Sequence, residues 1–552
     1  MKGADGSTLE RAAPFLASLV LLGAFLLQQT GPTAVVEPTT ARHLRRVELT
    51  LAADRVPQTD RFVAHPTGAP LAEPPLFDTA LALAARVLLG DDAGGAGCEA
   101  DEARLERALS QVGPLSLVAL LSLVYVAARA FQPHRRRAPA LVAMLVVVAS
   151  PGLVEQTLAG RLSIGPSLAV LTALALWWVR PAVGAREPLD RLSVSLVLGL
   201  TVGVGLALSP LFLGPALAVW ATLLRAAWTG DPTDRPLAVR SGLLFAIGAI
   251  ALGLSPTLDG PWQAAPPGPV AEWARQVAVG GVAGCGPFLL AATARARRLP
   301  GGRVVGLSVL AALALAGWAR AEHLIVDPAA APSLLGAWPL AFVIAVLPGS
   351  EAGGSPGLLS CLRLAGLTTL VTALADPEAV ASFAVVAALT AGALPFALER
   401  PRLLRRAGAV LVAGGIVAGA GAVAERAASP PAAAVELAAA LRHLRSESPT
   451  PGPWNAAQAR QAWAVGCDPE LAPLVHYHAR RPTVDPAAAG GGDLTAWARS
   501  AGVRYLVAAG VSPPAGEGWD EPRSAGAHTL WRLAAVPARS PSARGSRAAP
   551  AD

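Results

Sequence analysis

Carboxylates, histidines and arginines gather in the polar stretches between long apolar runs. Glu37 precedes His43-Leu44-Arg45-Arg46, and Glu155 sits in the stretch Ser150-Pro151-Gly152 to Ser163. Arg320-Ala321-Glu322-His323 and a late segment with Trp463, Tyr477 and Arg481 complete the set. Oxygen donors of this kind suit hard divalent cations, and guanidinium groups suit phosphate. His43, Arg45 and Arg46 open an amphipathic helix with apolar Leu44, Val47, Leu49 and Leu51. Its arginines can meet lipid phosphates as readily as a substrate. Glu37 reads either as a solvated residue at a helix end or as a ligand. Glu322 and His323 read either as ordinary polar groups at a helix end or as site residues. His476 and His478 alternate on an expected strand and could meet a metal, although a pair at that spacing defines no site. Cys98, Cys285, Cys361 and Cys467 show no CxxC spacing, which argues against a zinc site.

The elements that must hold these groups are membrane helices. The chain has 552 residues, of which 53% are hydrophobic and 15% charged; a soluble protein would be about a quarter charged. Apolar runs of roughly 18 or more residues indicate membrane spans. The net charge of +7 is carried by arginine spread over short loops, with Lys2 the only lysine. No dense basic stripe with interleaved aromatics suggests nucleic acid.

Thirteen spans are expected, over 13–35, 113–131, 138–155, 165–180, 192–209, 211–227, 240–256, 276–294, 303–319, 333–348, 357–375, 378–397 and 406–424. The first reads as a signal anchor, because no small-x-small cleavage site follows it. Arginine clusters at 135–137, 180–191, 225–240, 295–303 and 400–406 follow even-numbered spans. The positive-inside rule places those loops and the N-terminus in the cytoplasm. The long first loop (36–112), the loops near 156–164 and 320–332, and everything after 425 are then external. The expected localisation is a bacterial-type inner (plasma) membrane. Residues 1–424 would form the membrane domain and 425–537 an extracytoplasmic α/β domain. In that domain 431–445 reads as an amphipathic helix, and 502–510 and 528–536 read as strands. The Ala/Arg/Ser/Pro-rich tail 538–552 is expected to be disordered. Cys98 and Cys467, both external, could form a disulfide.

Residues 43–78 contain His43, Arg45, Arg46, Pro57, Asp60, His65-Pro66, Gly68 and Pro74-Pro75-Leu76-Phe77-Asp78. This pattern resembles the first external loop of oligosaccharyltransferase catalytic subunits. Those enzymes transfer a polyprenyl-linked glycan to asparagine. Gly160, the Glu322-His323 pair, and Trp463, Gly466, Tyr477 and Arg481-Pro482 resemble three further family motifs. The resemblance implies a mainly α, polytopic GT-C-like bundle of about 13 transmembrane helices with a small C-terminal external α/β domain. It implies a polyprenyl-linked glycan and membrane lipid as partners, a protein acceptor, and Mg or Mn as the cofactor of working relatives. By the same resemblance Glu37 and Glu322 are the catalytic candidates. His43, Arg45, Arg46, His323, Trp463 and Arg481 are the substrate-binding candidates.

The chain departs from the family at its acids. The metal-binding Asp positions are Thr39 and Ser163, and the acid and histidine of the late motif are Ala464 and Cys467. Glu37 and Glu155 are the surviving candidate metal ligands. The expectation is a divergent membrane glycosyltransferase whose cavity holds a divalent cation weakly or not at all. A non-catalytic glycan-lipid-binding or scaffolding relative, and a transferase using a polyprenyl-monophosphate sugar, are the alternatives.

Overall fold

The computed structural model describes residues 8–29, 35–53, 59–60, 62, 69–70, 76–90, 99–131, 137–184, 187–229, 233–253, 284–292, 335, 338–340, 342, 356–391, 402–428, 432–446, 463–489, 493–509, 519–520 and 522–534. The chain divides into two compact units. One comprises Met1–Val35, Arg46–Thr59 and Pro70–Pro430; the other comprises Val36–Arg45, Asp60–Ala69 and Pro431–Asp552.

The first unit is helical. Six described helices are long and apolar enough to cross a membrane: Glu10–Gln28, Ala103–Phe131, Gly165–Gly184, Pro188–Leu208, Arg235–Leu252 and Arg406–Glu425. The protein is an integral membrane protein. The expected spans at 211–227 and 357–375 correspond to helices Leu213–Thr229 and Pro356–Ala375. Most of the expected spans at 276–294, 303–319 and 333–348 lies outside the described residues.

The span expected at 138–155 is corrected to a broken one: Ala138–Val148 and Pro151–Thr157 meet at 71°. Pro151 lacks the N–H that an unbroken helix needs and disfavours a helical Ser150 before it. Ser150 is accordingly extended. The span expected at 378–397 begins as a helix at Val380–Ala391, every residue of which is buried. A helix apolar on all sides belongs in a core, and Ser382 meets Thr172 of the neighbouring helix at 3.2 Å.

Small residues let the membrane helices approach closely. Gly199 and Gly203, one turn apart on Pro188–Leu208, face the backbone of Phe245 and of Gly248–Ala249 on Arg235–Gly253. A Cβ at Gly199 would collide with the Phe245 carbonyl. This is the small-xxx-small contact by which helices associate without a hydrophobic driving force.

The second unit is α/β. After the short pairing strands β1 (Thr59–Asp60) and β2 (Ala69–Pro70), its sheet uses β3 (Ala464–Gly466), β4 (Thr483–Val484), β5 (Val503–Ala509), β6 (Arg523–Ala525) and β7 (His528–Arg532). The order is β4-β3-β5-β7-β6. β3 runs parallel to β4 and β5, while β7 is antiparallel to β5 and β6. Helix Leu494–Ser500, capped by Asp493 through the Thr495 N–H at 2.9 Å, precedes β5. Gly526 opens the β6–β7 turn at φ 69°, where a side chain would also strike Ala433. Helix Ala432–Ser446 and strands β5 and β7 match the elements expected at 431–445, 502–510 and 528–536. Residues 538–552 lie outside the described residues.

Candidate functional site

The first-loop arginines are held inside the protein. Helix Pro38–Ala53 begins at Glu37, whose carboxylate accepts the Thr40 hydroxyl at 3.2 Å. Arg45, seven residues into that helix, is 2% exposed. Its guanidinium carbon lies 4.2 Å from the centre of the Phe62 ring, and Asp60 faces it at 3.8 Å. Asp60 also accepts the Phe62 N–H at 2.9 Å. Arg46 points elsewhere, to Asp78 at 3.3 Å, so the Pro-Pro-Leu-Phe-Asp run supplies its counter-charge. His43 is buried.

The C-terminal segment closes the same cluster. Residues Val475–Ala479 form a buried π-helical turn instead of the strand expected for His476 and His478. The wide turn ends at Arg480, left-handed at φ 53°, and Pro482 follows. His476 Nε2 lies 2.8 Å from Thr483 Oγ1, and its ring meets Phe62 edge to face at 6.0 Å. The Thr483 N–H donates to the Phe62 carbonyl at 3.1 Å. Burial pushes the His476 imidazole down to about 4; Arg45 adds to the shift, and Asp60 and the Phe62 carbonyl oppose it. His478 Nδ1 accepts from Arg442 at 3.3 Å.

Beside this turn, one indole carries two cations. Arg481 stacks on Trp463 at 4.3 Å, Arg504 approaches the same ring at 5.5 Å, and Tyr505 packs on it at 5.3 Å. Arg481 is 1% exposed. Burial, reinforced by Arg504, pulls its guanidinium down to about 10, so it stays charged at neutral pH. Cys467 is a free buried thiol. Burial, with Asp468 and Asp485 nearby, lifts it to about 12. Cys98, its expected partner, lies outside the described residues.

In the membrane unit, Glu155 ends the broken span and pairs with Arg161 at 2.9 Å. Gly160, at φ 81°, turns the chain between them. Ser163 Oγ accepts the Gly165 N–H at 3.3 Å. Glu37 and Glu155 belong to different units, and among the described residues no three His, Cys, Asp or Glu side chains gather as a metal set. Glu322 and His323 lie outside the described residues.

Sequence reasoning missed Phe62, Thr483, Arg504 and Arg442. None belongs to a quoted motif. The available signal was an aromatic two residues after Asp60 and an Arg-Tyr pair opening a strand.

No sequence-family model matches the chain, and no curated protein sequence does. Solved structures do. The oligosaccharyltransferase of Archaeoglobus fulgidus with Zn and sulfate superposes with a TM-score of 0.64 at 14% identity, over 90% of this chain and 68% of that one. The fold is shared with archaeal oligosaccharyltransferases. An oligosaccharyltransferase AglB of the same organism, with an inhibitory peptide and a dolichol-phosphate, gives a TM-score of 0.65 at 14% identity, over 91% and 70%. The apo form of the enzyme solved with Zn and sulfate gives 0.66 at 12% identity, over 92% and 70%. Identity this low speaks for architecture: a GT-C-type helical membrane bundle joined to a small α/β unit.

Proposed function

We propose that the chain is a membrane glycosyltransferase of oligosaccharyltransferase type, acting on a polyprenyl-linked sugar at the external membrane face. In this reading the N-terminus is cytoplasmic and the α/β unit extracytoplasmic. The observation that supports it is a fold match over about 91% of the chain to archaeal oligosaccharyltransferase structures, one with dolichol-phosphate and one tethered to an acceptor peptide containing the NVT sequon. A hydrophobic carrier held between membrane helices and an acceptor handled by the polar unit would divide the work along the same line. Glu37, His43 and Trp463 remain the substrate-side candidates in that unit.

The described residues fit a resident divalent cation poorly. Glu155 is neutralised by Arg161, and Thr39 and Ser163 offer hydroxyls where Mg²⁺ or Mn²⁺ would want anionic oxygen. This favours a second reading, a relative that binds the glycan lipid without turning it over. A transferase using a polyprenyl-monophosphate sugar is the third. The test is the purified chain in proteoliposomes with labelled polyprenyl-diphosphate glycan and an Asn-x-Thr peptide. Labelled peptide is the expected result. Retention without transfer would replace the enzyme with the binding relative, and transfer only from a monophosphate donor would select the third reading. The absence of both retention and transfer would overturn all three readings.

A further inference from the structure

Phe62 is the point where three separated pieces of the second unit meet. Its ring face carries Arg45 from the helix, its edge meets His476, and its carbonyl accepts the N–H of Thr483 on β4. Its own N–H is taken by Asp60, which also opposes Arg45. All five side chains are buried, Phe62 completely. Asp60, Phe62, His476 and Thr483 carry no substrate assignment, and each has a partner inside this cluster.

We propose that Asp60 and Phe62 form a latch that holds residues 36–45 to the C-terminal sheet, and that a neutral His476 keeps it closed, so that acid opens it. Among the described residues, the charged groups that act on the imidazole are Asp60, at the end of β1, and Arg45, on helix Pro38–Ala53. Asp60 is already opposed to Arg45, so a proton on His476 would place a second cation in a dry pocket beside the first. Such a charge is costly unless paired. The closed latch therefore favours the neutral ring, whose proton affinity is pushed down to about 4. The opened segment regains an ordinary imidazole, near about 6.5. Closure is fully favoured above that value, weakens as pH falls from about 6.5 to about 4, and weakens no further below. Linkage puts the gain in opening at about 20-fold between neutral pH and pH 5. At pH 5 ordinary carboxylates are still largely ionised, so the effect is separable from acid titration of Asp and Glu. The inference is independent of the glycosyltransferase reading.

Hydrogen exchange on the full chain in nanodiscs tests it, with rates corrected for the intrinsic effect of pH. The peptides to follow are 480–484, which reports the Thr483 amide, and 503–509, which reports the centre of the sheet. In the wild type, 480–484 should lose protection by about 20-fold between neutral pH and pH 5, while 503–509 keeps it. His476→Gln, which retains a polar atom toward Thr483 but takes up no proton, should abolish the pH step. Protection at 480–484 that does not change with pH overturns the proposal, as does an equal loss in 503–509 or a step that survives in His476→Gln. If that variant fails to fold, the contrast between the two wild-type peptides decides alone.

Discussion

Arg45 and Arg481 are both buried guanidiniums stacked on aromatic rings. Burial makes their loss expensive and their conservative replacement imperfect. Arg45→Met leaves Asp60 buried against an apolar chain, and removing one partner of a buried pair costs about 3–5 kcal/mol. Chemical denaturation followed by near-UV dichroism should show the second unit unfolding first in this variant; wild-type behaviour would make the pair dispensable. Arg481→Lys keeps the charge but loses the planar stack on Trp463, a loss of about 1 kcal/mol or more. Arg481→Ala should cost more than the lysine variant in the same melt. At this scale the sequence singles out residues without giving their contacts. The Arg45, Asp60, Trp463 and Arg481 positions stand out as motif letters. Their contacts cross more than 400 residues of chain for Phe62 and His476, and no local pattern encodes a meeting that distant.

The membrane helices were the most legible elements, because apolar length needs no knowledge of partners. The exceptions have local causes. Proline at 151 breaks a run that hydropathy reads as continuous, and the Val475–Ala479 turn is π-helical although its polar-apolar alternation imitates a strand. Helix pairing makes a sharp prediction. Gly199→Leu drives a side chain into the Phe245 backbone, so it should separate Pro188–Leu208 from Arg235–Gly253. The expected result is a lower melting temperature in nanodiscs and greater protease access, from an overpacking cost of about 1–3 kcal/mol; Ala413→Leu, on an exposed helix face, should do neither. The Glu155–Arg161 pair gives the opposite kind of expectation. It is partly exposed, and such pairs contribute about 0–1 kcal/mol. Glu155→Gln should leave both the melt and any response to Mn²⁺ unchanged. A Mn²⁺ affinity that the wild type shows and Glu155→Gln loses would make this carboxylate a true ligand.

For the whole molecule, the match to AglB at 14% identity covers 91% of the chain and so includes residues of both units. The loop motifs pointed to that architecture because they include the residues that tie chain segments together, such as Arg45 with Asp60 and Arg46 with Asp78. Thr39 and Ser163, where the resembled motifs carry acids, take no part in those pairs, which is why the fold is clearer than the chemistry. The central claim is that this fold still receives a polyprenyl-linked sugar. Native mass spectrometry of the chain released from nanodiscs, loaded with polyprenyl-diphosphate glycan or with the bare polyprenol, measures it directly. The account predicts a saturable one-to-one adduct with the diphosphate-linked glycan that excess bare polyprenol does not displace. Equal retention of both lipids, or of neither, would contradict it.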